Sequence, residues 1–179
     1  MYTPGEMAAM NLALVEKYHQ TGSSPPLALQ APNSQLTPSS PATTPHLVPD
    51  LTELPTGPIT KISSGGYITG ALTSGHDLYI WGGRAGQDEL FPWLSGEPTP
   101  VELDVDVQDF AVGNDHLIVL STTGKLFVVG QGGSGQLGLG KCMKKEEWME
   151  VVLPLKENQQ VVSVHAGYKT SFIVIDDSI

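Results

Sequence analysis

Short apolar runs alternate with polar turns along this chain, and the alternation repeats. Leu117-Ile118-Val119-Leu120 is followed by the polar stretch Ser121-Thr122-Thr123-Gly124 and by a second apolar run, Leu126-Phe127-Val128-Val129. Apolar, partly β-branched runs of this length bounded by turn residues predict strands. Gly124 supplies a residue at ease with positive φ. The prediction is a β-hairpin. The same order stands earlier, as Ala71-Leu72-Thr73, the turn Ser74-Gly75-His76-Asp77, and Leu78-Tyr79-Ile80-Trp81, with Trp81 expected to pack between units. A further strand is predicted before each hairpin, over Ile59 to Ser63, Val107 to Val112 and Val161 to Val164. Pro100-Val101-Glu102-Leu103 and Val151-Val152-Leu153 are expected as outer strands. Three or four strands per unit is the content of one propeller blade.

The units are copies of one another. Gly65 corresponds to Gly113, Leu72 to Leu120 and Gly82 to Gly130, each 48 residues apart; in a partial third copy, residues 161–179, Gly167 corresponds to Gly113 at a spacing of 54. Periods of this size mark repeat architectures, in which a unit buries its faces only against its neighbours. The chain holds two full units and the start of a third, which breaks off at Asp176-Asp177-Ser178-Ile179, with Ser178 at the place of Gly124. Such a stretch leaves an apolar face at each end. The expectation is a fragment, one part of a split ring, or an incomplete gene product.

The order of the motifs resembles the repeat of the regulator of chromosome condensation family. The matching residues are Ala111-Val112-Gly113-Asn114-Asp115-His116, the turn glycine Gly124, the strand end Trp81-Gly82 (Gly130 in the second copy) and the loop Gly135-Gln136-Leu137-Gly138. Gly86-Gln87 opens a degenerate version of that loop, and the third copy keeps Ala166-Gly167 and Thr170-Ser171. The resemblance covers about two thirds of the chain. Departures are Ile68 and Thr170 where the second copy has His116, and Val129 where the family usually has tryptophan. The resemblance implies an all-β fold, a partial β-propeller of RCC1-like blades over residues 59–179. It implies for His116 a structural role, its ring bonded to turn backbone. For most family members it implies a scaffold that binds proteins. For the best-known member it implies guanine nucleotide exchange on a small Ran-like GTPase, which depends on a complete ring and an inserted wedge.

Ahead of the repeats the pattern changes. Residues 1–20 are expected to form a short helix around Met7–Tyr18; the run has no basic leader and follows Glu6, so a signal peptide is not expected. Residues 21–58 hold nine of the 14 prolines and only Asp50 and Glu53 as charges, which predicts a disordered, extended linker. Ser39-Ser40-Pro41 and Thr44-Pro45 within it have the form of proline-directed phosphorylation sites.

Charge narrows the partners. Nine basic and 19 acidic residues give a net charge of −10, which disfavours broad contact with a nucleic-acid backbone or an anionic membrane and leaves a protein partner. No apolar run reaches the length of a membrane span. The one cysteine, Cys142, excludes an internal disulfide and fits a cytoplasmic or nuclear chain.

Candidate chemistry is sparse. His19, His46, His76, His116 and His165 are scattered and lack metal-ligand spacing. Cys142 has no evident base beside it. Asp104, Asp106, Asp109 and Asp115 cluster in sequence but do not match a calcium loop, and read as a solvated acidic rim. Gly130-Gln131-Gly132-Gly133-Ser134-Gly135 lacks the Gly-Lys-Ser/Thr ending of a phosphate loop, so its glycines read as tight turns between blades. Phe91-Pro92-Trp93-Leu94 reads as a loop tucked over its own blade, with a partner patch as the alternative. Lys144-Lys145-Glu146-Glu147-Trp148-Met149-Glu150 is expected as one helical turn or an exposed excursion. No catalytic, cofactor-binding or metal-binding residue is assigned. The expected function is a non-enzymatic protein-interaction module or scaffold, with exchange on a small GTPase as the alternative.

Overall fold

The computed structural model describes residues 48–83 and 90–177. The expected helix over residues 1–20, the linker up to residue 47 with its phosphorylation motifs, and Gly86-Gln87 lie outside these residues. Nearly all of the described residues belong to one compact unit, Asp50–Ile179.

That unit is built of strands. β1 (Ile59–Gly65), β2 (Ile68–Thr73), β3 (Leu78–Gly82) and β4 (Thr99–Pro100) form one antiparallel four-stranded sheet in chain order. β5 (Val107–Val112), β6 (His116–Ser121), β7 (Leu126–Gln131) and β8 (Lys144–Val151) form a second. β9 (Gln160–Ala166) and β10 (Ser171–Asp176) pair as a third, two-stranded sheet. These are blades one, two and three. The copies agree in register: Thr69 faces Trp81 in blade one as Leu117 faces Val129 in blade two. They also share an irregularity. The entry strand of every blade bulges at one place, skipping Thr60, Gln108 and Val162 in the pairing. A bulge re-aims the side chain beside it, and here the residues just past it are Lys61, Asp109 and Ser163.

The cores lie between blades, and the two-residue period of a strand divides the side chains between them. From blade two, Leu117, Val119 and Val129 join Ile68, Leu72, Leu78 and Ile80 of blade one. Ile118, Leu120, Leu126 and Val128 point the other way, against Val161 and Val164 of blade three. Blade two is thus covered on both faces, which is why every residue of β6 is buried.

The structure corrects four expectations about the strands and the aromatic side chains. The stretch Lys144–Glu150 is neither a helical turn nor an excursion; it is the body of β8, paired along β7. Charges on both faces suit an outermost strand, where they guard an open edge. The outer strands expected at Pro100–Leu103 and Val151–Leu153 therefore sit earlier, at β4 and β8. The aromatic loop does not fold over its own blade: Phe91 is fully buried in the core shared with blade two, and Trp93 stacks on Trp148 of β8 at 6.0 Å while its indole N–H donates to the Glu146 carbonyl. Trp81 is half-buried and joins neither inter-blade cluster; Leu78 and Ile80 are the β3 side chains that reach the core. The end of the expected linker, residues 48–58, carries a single 3₁₀ turn, Pro49–Leu51, with Leu51 buried, and Pro58 accepts a bond from the Ser74 amide. Apolar residues scattered through a proline-rich stretch give no periodic signal, so the burial of Leu51 is not legible beforehand.

Candidate interaction site between blades two and three

Polar links tie the blades together, two of them through buried side chains, and the loops beside one of these enclose a cleft. The first link is Asp109. The bulge aims its side chain so that Oδ1 takes the Lys61 ammonium of blade one at 2.6 Å and its neighbour Phe110's amide at 2.9 Å, while Oδ2 accepts the Val164 amide of blade three at 2.9 Å. The side chain is only 13% exposed. Asp109 is therefore not part of a solvated acidic rim: a carboxylate with four lone-pair sites can serve three donors on three strands, and consecutive repeats supply Lys61 and Asp109 as opposite charges at one position. Beside it, the Val112 amide donates to the Ser63 hydroxyl of blade one.

The second link is His116. Its ring is fully buried and lies where a Cβ on Gly113 would stand, so the Gly-x-x-His spacing reserves the space for the imidazole. The ring meets blade three: the Ser171 hydroxyl stands 3.0 Å from Nε2, and the backbone of Thr170, in the turn before it, also acts on the ring. Ser171 donates to the Gln136 carbonyl at 2.8 Å, so its oxygen accepts from His116 and the ring proton resides on Nε2. Nδ1 is left buried without a partner. Burial pushes the imidazole below its ordinary value, against smaller opposing pulls from the Thr170 backbone and the Asp115 carboxylate. Between blades one and two the same positions hold Ile68 and Leu117, an apolar pair at full burial.

Above the His116 link, loops of both blades surround a cleft of about 230 Å³ lined by Asp115, Gln131, Gly133, Ser134, Gln136, Tyr168 and Lys169. Its frame is tied down. The Asn114 amide donates to the Tyr168 carbonyl at 3.3 Å and the Gln131 amide to the Asp115 carbonyl at 2.7 Å. The Gln136 side chain accepts the Ser134 amide at 2.9 Å, and the Asn114 side chain donates to the Asp115 carboxylate. The glycine-rich loop is thus folded on itself, with Gly130 and Gly135 at positive φ. Tyr168 is 69% exposed, and the Lys169 ammonium stands 5.6 Å from the centre of its ring.

The remaining residues singled out in the sequence do not converge. His165 is exposed with its ring 3.3 Å from the Ser163 hydroxyl, and His76 bonds the Val107 carbonyl at 3.0 Å. The Cys142 thiol donates to the Lys144 carbonyl. His19 and His46 lie outside the described residues. Among the described residues no group of three or more His, Cys, Asp or Glu side chains is placed to hold a metal ion, and no helix is long and apolar enough to cross a membrane. Tyr168 and Lys169 escaped the sequence reading because they matter only once blade three is laid against Asp115.

The relatives of this chain share its repeats. The family model described as regulator of chromosome condensation (RCC1) repeat matches residues 107–136, from the start of β5 to Gln136 of the cleft. The human regulator of chromosome condensation is 36% identical over 85 residues, 45% of this chain and 20% of that protein. The mitochondrial RCC1 domain-containing protein RUG3 of Arabidopsis thaliana is 29% identical over 136 residues, 72% of this chain and 29% of that protein. Among solved structures, Prp20p of Saccharomyces cerevisiae superposes with a TM-score of 0.60 at 17% identity, covering 72% of this chain and 33% of that one. Human WBSCR16 gives 0.55 at 21% identity, covering 68% and 32%. These two likenesses show the fold, a partial propeller. The matched region spans a fifth to a third of each of these proteins. With the repeated glycines, the blade register and the family match in agreement, this chain is an RCC1-like repeat protein.

Proposed function

We propose that the chain is a protein-interaction module that binds through loops at the rim of its blades. The observation that carries this reading is a contrast between frame and rim. Blade-to-blade positions are tied by Asp109, Ser63 and His116, whereas the repeat-equivalent position in the loop ahead of each blade's second strand is Tyr67, Asp115 and Lys169 in turn. A rigid frame carrying different side chains at equivalent points is how a repeat fold builds recognition without catalytic groups. The proposed partners are proteins, met in the cytoplasm or nucleus; the acidic balance gives no support to direct nucleic-acid binding. The test is cross-linking of the full chain in cells, followed by mass spectrometry. Cross-links from the rim loops to a reproducible partner are expected, and should be lost in the double variant Asp115→Lys, Lys169→Glu. An unchanged cross-link map in that variant argues against rim binding.

A second reading, exchange of guanine nucleotide on a small Ran-like GTPase, draws on the similarity to the human regulator of chromosome condensation and on Prp20p, a protein of this fold whose binding to Gsp1p and histones has been described. Exchange requires the chain to prise open a nucleotide site, so release of a labelled guanine nucleotide from the GTPase, with and without the chain, separates it from plain binding.

A further inference from the structure

We propose that the cleft between blades two and three receives a single arginine side chain of a partner protein, an assignment that rests on the interaction reading above and names its chemistry. At about 230 Å³ the cleft is smaller than the usual range for a cofactor or drug-sized ligand and has room for one side chain. Its walls complement a guanidinium. The Asp115 carboxylate, one oxygen of which accepts the Asn114 side-chain amide, puts a negative charge with further lone pairs on the wall for a planar fork of N–H donors. Tyr168 offers an exposed aromatic face on which a guanidinium stacks. Gln131 and Gln136 line the same space with polar side chains.

The protein already holds a cation at this ring. The Lys169 ammonium lies over Tyr168, on a flexible four-carbon stem and at the cleft's edge. It acts as a tethered stand-in that a flatter, more weakly hydrated guanidinium displaces. An anion is the poorer occupant: it would meet the Asp115 carboxylate, and the Ser134 amide of the glycine-rich loop is already bonded within the loop. The cleft is also built in advance. Bonds from Asn114 to Tyr168 and from Ser171 to Gln136 hold its two sides together, so binding does not have to order a loop first. The net charge of −10 draws basic partners toward the whole molecule.

The test uses the ¹⁵N-labelled full chain titrated with N-acetylarginine methylamide, with the citrulline compound as its neutral isostere and the lysine and glutamate compounds as comparisons. The arginine compound is expected to shift the amides of residues 131–136 and 168–170, saturating on the order of millimolar. Asp115→Asn, which keeps the size of the side chain, should weaken it at least about tenfold, the scale of a lost charge-assisted pair. Lys169→Ala should tighten it roughly threefold by removing the stand-in, a gain that a merely structural role for Lys169 does not produce. Equal binding of the citrulline compound, stronger binding of the lysine or glutamate compound, shifts elsewhere on the molecule, or no tightening in Lys169→Ala would each overturn the proposal. If the arginine compound fails while rim-dependent cross-links persist, the cleft assignment falls and the module reading stands. If the compound binds as described but no rim-dependent cross-link exists, the cleft's preference for a guanidinium stands, while the module reading falls and the partner assignment falls with it.

Discussion

Gly113 and His116 are two positions of one repeat that depend on each other. A Cβ on Gly113 would enter the space of the His116 ring, and the ring is walled in by blade three through Ser171. Gly113→Ala is therefore expected to destabilise the fold by about 2 kcal/mol, the scale of an overpacked core, read as a lowered denaturation midpoint in urea. The same burial sets a pH dependence. His116 titrates below its ordinary value in the folded chain, so between the two values the unfolded state binds more protons and stability falls as pH falls. Stability should be level above the ordinary histidine value of about 6.5, decline below it, and level off again under the lowered folded value. His116→Gln should flatten that part of the profile in denaturation series run from pH 7.5 to pH 5; an unchanged slope would reject His116 as its source. Turn chemistry shows a related substitution. Gly124 sits at φ 81°, and its counterpart in blade one is His76 at φ 71°, a strained choice for a residue with a side chain. The histidine has a use there: its ring and its carbonyl both bond Val107 of the next blade.

At the scale of elements, the bulged entry strands connect the blades. Asp109 serves Lys61 on β1 and the Val164 amide on β9, so one side chain spans three strands from three blades. Asp109→Ala removes the acceptor of a part-buried ammonium and of two backbone N–H groups, those of Phe110 and Val164. The expected loss is about 2–4 kcal/mol, trimmed for the partial exposure of Lys61. Lys61→Met should cost clearly less, because Asp109 keeps its two amide donors. Equal losses in urea denaturation of the two variants would contradict the hub assignment. The aromatic loop works alongside: Phe91 fills the core between blades one and two, and Trp93 clamps β8 through Trp148 and the Glu146 carbonyl.

Across the whole molecule, protection follows coverage. Blade two has neighbours on both faces, whereas Phe172 and Val174 of β10, counterparts of the buried Ile118 and Leu120, are 59% and 44% exposed. Local stability tracks buried contacts, so amide hydrogen exchange should be slowest in β5, β6 and β7 and faster in β9 and β10. Uniform protection over all three blades would mean that the exposed face is covered in solution. Exposed apolar side chains of this kind mark contact surfaces, and their positions in the repeat are those at which one blade meets the next.

Much of this was open to a reading of the sequence, for physical reasons. Strand existence, the hairpin turns and the repeat period are local properties, carried by apolar runs and turn residues a few positions apart, and the structure places β1 to β3, β5 to β7 and β9 where those signals lie. The order of the motifs likewise led to the RCC1-like repeat and to the partial propeller. What the tertiary structure alone decided are relations between residues far apart in the sequence. Lys144–Val151 became a strand because β7 has an edge to satisfy, not because its own pattern asks for one. Asp109 became a buried link because Lys61 and Val164 come to it; by itself an aspartate among other aspartates reads as surface. The cleft exists only where Asp115 and Tyr168 are brought together across two blades. No window of the sequence contains that pair, and no local propensity reports it.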